Sequence, residues 1–191
     1  MARITIIVGH SQQGTYCEAL GEHYKSGALV GGHEVQLFTL SRLRFDPILR
    51  QGYGQIQPLE PDLQKVCDAI KSSNHIVIIF PLWCGDMPAM LKGFLERLIQ
   101  PDLVRIQKTE KFGLNLNIFP RTSARIIVTM GMPALFYWIY FRGYAVKLLR
   151  RNILQFIGMR PVRTTVFGMV SSERRRDRSL RTVELLGRSA R

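Results

Sequence analysis

HIVIIFPLWCGDMPAMLKGFLERLI, residues 75–99, decides how this chain is read. An apolar strand, His75 to Phe80, ends on Pro81, turns through Gly85 and restarts beyond Pro88 as an amphipathic helix expected over Ala89 to Ile99. A fully apolar strand belongs to a sheet covered on both faces. The loop that follows it lies at the carboxyl edge, where open α/β sheets bind ligands. Leu82, Trp83, Cys84 and Met87 would leave apolar area in water there unless a flat partner covered it. The plainer alternative is that Trp83 and Met87 fill the core beneath the loop.

Moving outward, further apolar runs at Ile4–Val8, Ile126–Met130 and Val162–Val170 alternate with helically spaced segments, and His33–Thr39 supplies another strand. Helices are expected over Thr15–Val30, Pro61–Ser72, Lys147–Ile157 and Glu173–Leu186. Arg44–Pro61 and Met130–Tyr140 read as loops, and 102–121 has no firm assignment. The expected fold is α/β, a flavodoxin-like three-layer sandwich on a five-stranded parallel sheet. Its domain spans 1–170, and 171–191 forms a basic C-terminal helix or tail of the same domain.

With 191 residues, 46% of them hydrophobic, the chain can bury one core. Its net charge is +13, and the last 21 residues carry seven Arg against three acids. That balance favours phosphate-bearing ligands, acidic partners or anionic lipid; the plainer alternative is a solvated tail. No recognition module accompanies the arginines and no aromatics interleave with them, so nucleic-acid binding is not expected. No secretory leader and no membrane span is expected, and three scattered cysteines support neither a disulfide framework nor a zinc site. A cytoplasmic, reducing location follows, with no metal.

Three segments carry chemistry. Gly9-His10-Ser11-Gln12-Gln13-Gly14-Thr15 lies between strand and helix, where free amides and the helix dipole favour an anion. Alternatively Thr15 is only an N-cap and His10 a satisfied turn residue. At Pro81–Pro88, backbone amides can meet the polar edge of a ring while Leu82 and Trp83 pack on its face. Thr129-Met130-Gly131-Met132-Pro133 precedes Phe136, Tyr137, Trp138, Tyr140 and Phe141 and should line the same crevice. Those aromatics equally suit a dimer interface or an interfacial membrane patch.

Taken together, FPLWCGDMPAMLKGFLERLI (80–99), GHSQQGTYCEAL (9–20) and TMGMPALFYWIY (129–140) resemble the NAD(P)H:quinone oxidoreductase family of flavodoxin-like flavoproteins. That family includes the ancillary quinone reductases of glutathione-gated potassium efflux systems. The resemblance, which covers roughly Arg3 to Met169, implies a homodimer that binds FMN or FAD and passes a hydride from NADH or NADPH to a quinone-like small molecule in ping-pong fashion. It implies that His10, Thr15, Tyr16 and Cys17 hold the flavin phosphates. It places Pro81, Leu82, Trp83 and Cys84 against the isoalloxazine, with Thr129 and Gly131 opposite, and Tyr137 beside the flavin as a catalytic residue. The chain departs from the family at Cys84, usually an aromatic; at Gly143, where a histidine accompanies the tyrosine; and at Pro101–Arg105, in place of a glycine-aromatic run. The departures at Cys84 and Gly143 motivate an alternative: a regulatory or interaction subunit with weak or lost catalysis, docked peripherally on a membrane transport protein.

Overall fold

A computed structural model describes residues 1–100 and 118–190. The Pro101–Arg105 departure lies outside the described residues. Five strands, β1 (Arg3–Val8), β2 (Glu34–Thr39), β3 (His75–Pro81), β4 (Ser123–Thr129) and β5 (Val162–Phe167), form one sheet in the order β2-β1-β3-β4-β5. All its pairings are parallel. Among the described residues the α-helices are α1 (Tyr16–Val30), α2 (Pro61–Ser72), α3 (Ala89–Leu98), α4 (Ala134–Ile139), α5 (Tyr144–Lys147) and α6 (Glu173–Arg188). A π-helical stretch, Leu148–Leu154, continues α5.

Alternation along β3 explains the unbroken apolar run. Ile76, Ile78 and Phe80 enter one core with Leu91, Phe94, Ile126 and Val128, whereas Val77 and Ile79 enter the other with Leu20, Tyr24 and Val183. Successive side chains leave opposite faces of a strand, so the stretch Ile76–Phe80, buried on both faces, is apolar at every position. Helices α1 and α6 cover the second face at close range. A Cβ on Gly187 would fall onto the Tyr24 carbonyl oxygen, and one on Gly27 onto that of Glu184.

At the amino end of the sheet, His75 is sealed between Tyr24 and Ser123. The Ser123 hydroxyl donates to the Asn74 carbonyl, 3.3 Å, so it accepts from His75 Nδ1–H at 2.7 Å. His75 Nε2 then accepts from the Tyr24 hydroxyl, 3.1 Å. Burial first, then the charges of Arg125 and Arg163, lower the His75 pKa to about 4.

The segment expected as a loop over 44–61 runs over the surface but is pinned at its base by a buried arginine. Arg97 donates to both carboxylate oxygens of Glu60, at 3.0 and 2.9 Å, and to the carbonyls of Asp46 and Pro58. Burial would raise the Glu60 pKa, but the Arg97 bonds hold it below the ordinary carboxylate value. Gly93 lets Pro47 lie directly on α3.

The reading of Met130–Tyr140 as a loop is corrected. Residues 134–139 form α4, started after Pro133, with only Tyr137 of its residues buried. Its outward positions are as apolar as its inward one, so the sequence shows no amphipathic period. The helix expected over Lys147–Ile157 instead begins at Tyr144 as α5 and passes into the π-helical stretch.

Candidate functional site

Strands β1, β3 and β4 finish side by side, with Val8 paired to Ile79 and Pro81 to Thr129. The chain leaves β1 toward β2 and returns across it to β3, so the β1/β3 boundary is the topological switch point, the position at which open α/β sheets form their ligand crevice. The three loops singled out in the sequence meet there. His10 and Trp83 have ring centroids 6.3 Å apart. Cys17 Sγ lies 3.3 Å from the Thr129 hydroxyl, and the Leu82 amide donates to the Thr129 carbonyl at 2.8 Å.

The first loop is wired around His10, which is buried. Its Nδ1 accepts the Gln12 amide at 3.2 Å, which requires the proton to sit on Nε2; that N–H then donates to Thr15 Oγ1 at 2.8 Å. Burial lowers the His10 pKa and so keeps the ring neutral, despite the opposing pull of Glu18. Thr15 is the N-cap of α1 and also accepts from the Glu18 amide at 3.4 Å. With both lone pairs engaged, its own hydrogen is left to donate outward. The amides of Tyr16 and Cys17 precede the first intrahelical bond, Ala19 N–H to the Thr15 carbonyl. Glu18 receives the Gly14 amide at 3.2 Å and pairs with Arg42 at 3.1 Å. The α1 start can therefore hold an anion with one hydroxyl and two amides.

Not every side chain in this group faces the crevice. The Tyr16 hydroxyl reaches the Arg176 carbonyl, 3.2 Å, and burial raises its pKa. Cys17 is buried, and burial pushes its thiol up to about 11, so it is no nucleophile. Both residues offer backbone rather than side chain.

In the second loop, Trp83 and Asp86 exchange both backbone hydrogen bonds, each 2.9 Å, around Cys84 at φ 50° and Gly85 at φ 80°. Two positive φ values in a two-residue turn define type I′, which favours Asn, Asp or Gly at both positions. Cys84 therefore stands at a strained, exposed tip. Trp83 is 43% exposed, Leu82 is half-buried, and Met87 lies in the core beneath, as the plainer reading expected. In the third loop a Cβ on Gly131 would meet nothing within 4 Å, so the wall at that point is open.

Tyr137 lies under the turn, fully buried, with its ring stacked against Phe141 at 6.1 Å. Its hydroxyl accepts from the Val146 amide at 3.3 Å, and burial raises its pKa. Gly143, at φ 64°, lies against Trp138, whose indole occupies the space that any side chain at position 143 would need. A histidine there would have to expel the indole. Among the residues that sequence reasoning missed, Asp86 closes the turn and Glu18 holds the Gly14 amide. Neither belongs to a spacing motif that would have marked it. Among the described residues no cluster of three or more His, Cys, Asp or Glu side chains could hold a metal ion, and no helix is long and apolar enough to cross a membrane.

Comparison with known proteins gives this edge a context. A Haemophilus influenzae protein described as an uncharacterized NAD(P)H oxidoreductase is 28% identical over 105 residues, which is 52% of this chain and 50% of that protein. An FMN-dependent NADH:quinone oxidoreductase of Mycoplasma mobile is 26% identical over 131 residues, 68% of this chain and 58% of its own length. The matched regions thus span little more than half of these relatives. Among solved structures, Smu.1420 from Streptococcus mutans UA159 superposes with a TM-score of 0.80 at 25% identity, over 97% of this chain and 98% of that one. The family model described as flavodoxin-like fold matches residues 2–185. With nearly its whole length matched and the five parallel strands in place, the chain belongs to the flavodoxin-like fold family.

Proposed function

We propose that this protein is an FMN-dependent oxidoreductase that passes a hydride from NAD(P)H to a quinone or similar electrophilic acceptor. One observation carries the reading: the start of α1, with its free amides and the Thr15 hydroxyl, and an exposed aromatic turn lie together at the switch point. The FMN dependence of the Mycoplasma relative supports the choice of flavin. The donor set fits a flavin monophosphate. Thr15 Oγ1–H and the amides of Tyr16 and Cys17 would hold the phosphate, with His10 fixing the threonine. Leu82, Trp83 and the 82–85 backbone would take one side of the ring, with Thr129 and Gly131 opposite.

FMN, when bound, supplies the two-electron exchange between nicotinamide and acceptor. The protein binds, orients and excludes water. Trp83 and Leu82 present the apolar surface on which a ring stacks, and the Asp86 turn fixes their backbone. Tyr137 stays protonated and acts by holding the Val146 amide beneath the turn rather than through a histidine relay, because position 143 has no side chain. Donor and acceptor share one exposed face in turn, so ping-pong kinetics follow. Leu135, Ile139, Tyr140 and Tyr144 are each at least 65% exposed beside this turn. A cluster of exposed apolar side chains suits a contact with another surface, and we assign it to a homodimer in the cytoplasm.

The purified protein should carry, or take up, FMN with the absorbance of an oxidised flavin, and should oxidise NAD(P)H in the presence of menadione. Thr15→Val should weaken FMN about tenfold, the effect of losing one hydrogen bond to a charged group. If neither FMN nor FAD binds and menadione elicits no NAD(P)H oxidation, the reading fails.

A further inference from the structure

On the far side of the loop after β4 lies a second concavity of about 540 Å³, at the carboxyl end of edge strand β5. Ala134, Phe167 and Gly168 wall it on one side, and Arg174, Arg175 and Arg178 of α6 on the other. We propose that this groove binds the adenosine 2′-phosphate of NADPH and gives the protein its preference for NADPH over NADH. The inference rests on the oxidoreductase reading for the identity of the cosubstrate only.

Size, charge and position support it. The volume lies within the range of roughly 300–1,000 Å³ found for small-molecule sites. Arg174 and Arg178 are four residues apart and Arg175 and Arg178 three apart, so their side chains emerge as neighbours on the helix surface. Among the described residues, none of the three makes an ion pair. No carboxylate lines the groove with them, since Glu173 and Asp177 are absent from its lining; the three cations repel one another there, and a phosphate dianion relieves this. Guanidinium forks match phosphate oxygens two at a time, and this geometry discriminates a phosphate from a ribose hydroxyl. Ser172 also lines the groove, and its hydroxyl makes no capping bond to α6. Phe167 and Val166 add apolar surface suited to an adenine.

The groove is joined to the crevice by a shared wall. The Met130 amide donates to the Phe167 carbonyl at 2.9 Å, the Met169 amide to the Met132 carbonyl at 3.1 Å, and the Val170 amide to the Met130 carbonyl at 3.3 Å. Thr129 faces Cys17 and Leu82 on the crevice side of this ladder, whereas Ala134 and Gly168 face the groove. A dinucleotide laid over the wall would place its two halves in the two concavities. An acidic peptide would need only the arginines and would give this adjacency no purpose.

Isothermal titration with adenosine 2′,5′-bisphosphate and with 5′-AMP tests the groove without reference to flavin. The bisphosphate should bind at least tenfold more tightly. In Arg175→Ser/Arg178→Ser that ratio should fall to near one, and the NADPH:NADH ratio of KM values should move in parallel. Arg175→Lys/Arg178→Lys, which keeps the charge but loses the fork, should retain an intermediate ratio and serves if the serine pair does not fold. Equal binding of the two nucleotides by the wild type overturns the inference, as does an equal loss in Arg181→Ser, which lies outside the groove. Loss confined to FAD binding would assign the groove to a flavin adenylyl group and also overturns it. Bisphosphate binding that persists in a protein unable to take FMN would sink the oxidoreductase reading and leave the groove standing.

Discussion

Each end of the sheet hides a histidine, and the two are held for opposite purposes. His75, at the amino end, is closed off by Tyr24 on one nitrogen and Ser123 on the other, beneath two helices packed glycine to backbone. His10, at the carboxyl end, is as deeply buried, yet both its bonds go to a loop amide and a helix-cap hydroxyl that themselves border an open crevice. Both rings are neutral because burial disfavours the cation. The difference teaches that burial does not separate a structural from a functional histidine; what its partners face does. A bond that ends on Tyr24 ends inside the protein, whereas one that ends on Thr15 ends on a partly exposed helix cap.

The sharpest way to break the comparison is to disturb one end and measure the other. Gly187→Leu would drive a side chain onto the Tyr24 carbonyl, and overpacking of that kind costs about 3 kcal/mol. A melting temperature roughly 10 °C lower is expected by calorimetry, with the FMN dissociation constant of the folded protein unchanged. A parallel loss of FMN affinity would show that the two ends are mechanically coupled.

Acid provides a comparable test. Histidine in the unfolded chain protonates near 6.5, whereas native His75 does so only near about 4. Between those values the unfolded state holds more protons, so stability is complete above pH 6.5 and declines as pH falls toward 4. The two values correspond to about 3 kcal/mol. Urea denaturation at pH 7 and pH 4 should show that decline, and His75→Gln should reduce it. A variant with an unchanged slope would move the acid sensitivity to His10.

The smallest effect sharpens the carboxyl end. Cys84→Asn suits the positive φ of a type I′ turn and should raise stability by about 0.5 kcal/mol. Denaturant midpoints would register it. No gain would mean that the cysteine itself stabilises the tip.

What could be read from the sequence follows from the same physics. β1, β3 and β4 were legible because strands buried on both faces are mostly apolar, with Thr5 and Arg125 as buried polar breaks in β1 and β4, and the loops after β3 and β4 because Pro81, Gly85, Pro88 and Pro133 punctuate them. The start of α1 was legible as a loop with Thr15 at its end, but the direction of the His10 proton was not, since it depends on the folded position of the Gln12 amide. α4 was hidden because Leu135, Phe136, Trp138 and Ile139 are apolar on its outer face. Tyr137 stood out as one aromatic among five, although nothing in its spacing marked it as the buried one. The arginines of α6 read as a charge run, because the groove beside them is completed by Ala134 at the start of α4, about forty residues earlier in the chain.

Arg97 has a consequence for anyone who wishes to decorate this protein. It holds the two feet of the 46–60 excursion together, while residues 50–56 project with every position exposed. The Arg50 amide closes the neck on Gln57 Oε1 at 3.0 Å. Since the closure cost of a loop grows only with the logarithm of its length, a reporter or affinity peptide spliced between Gly52 and Gly54 would hang from a fixed stalk. The excursion is thus a ready attachment port.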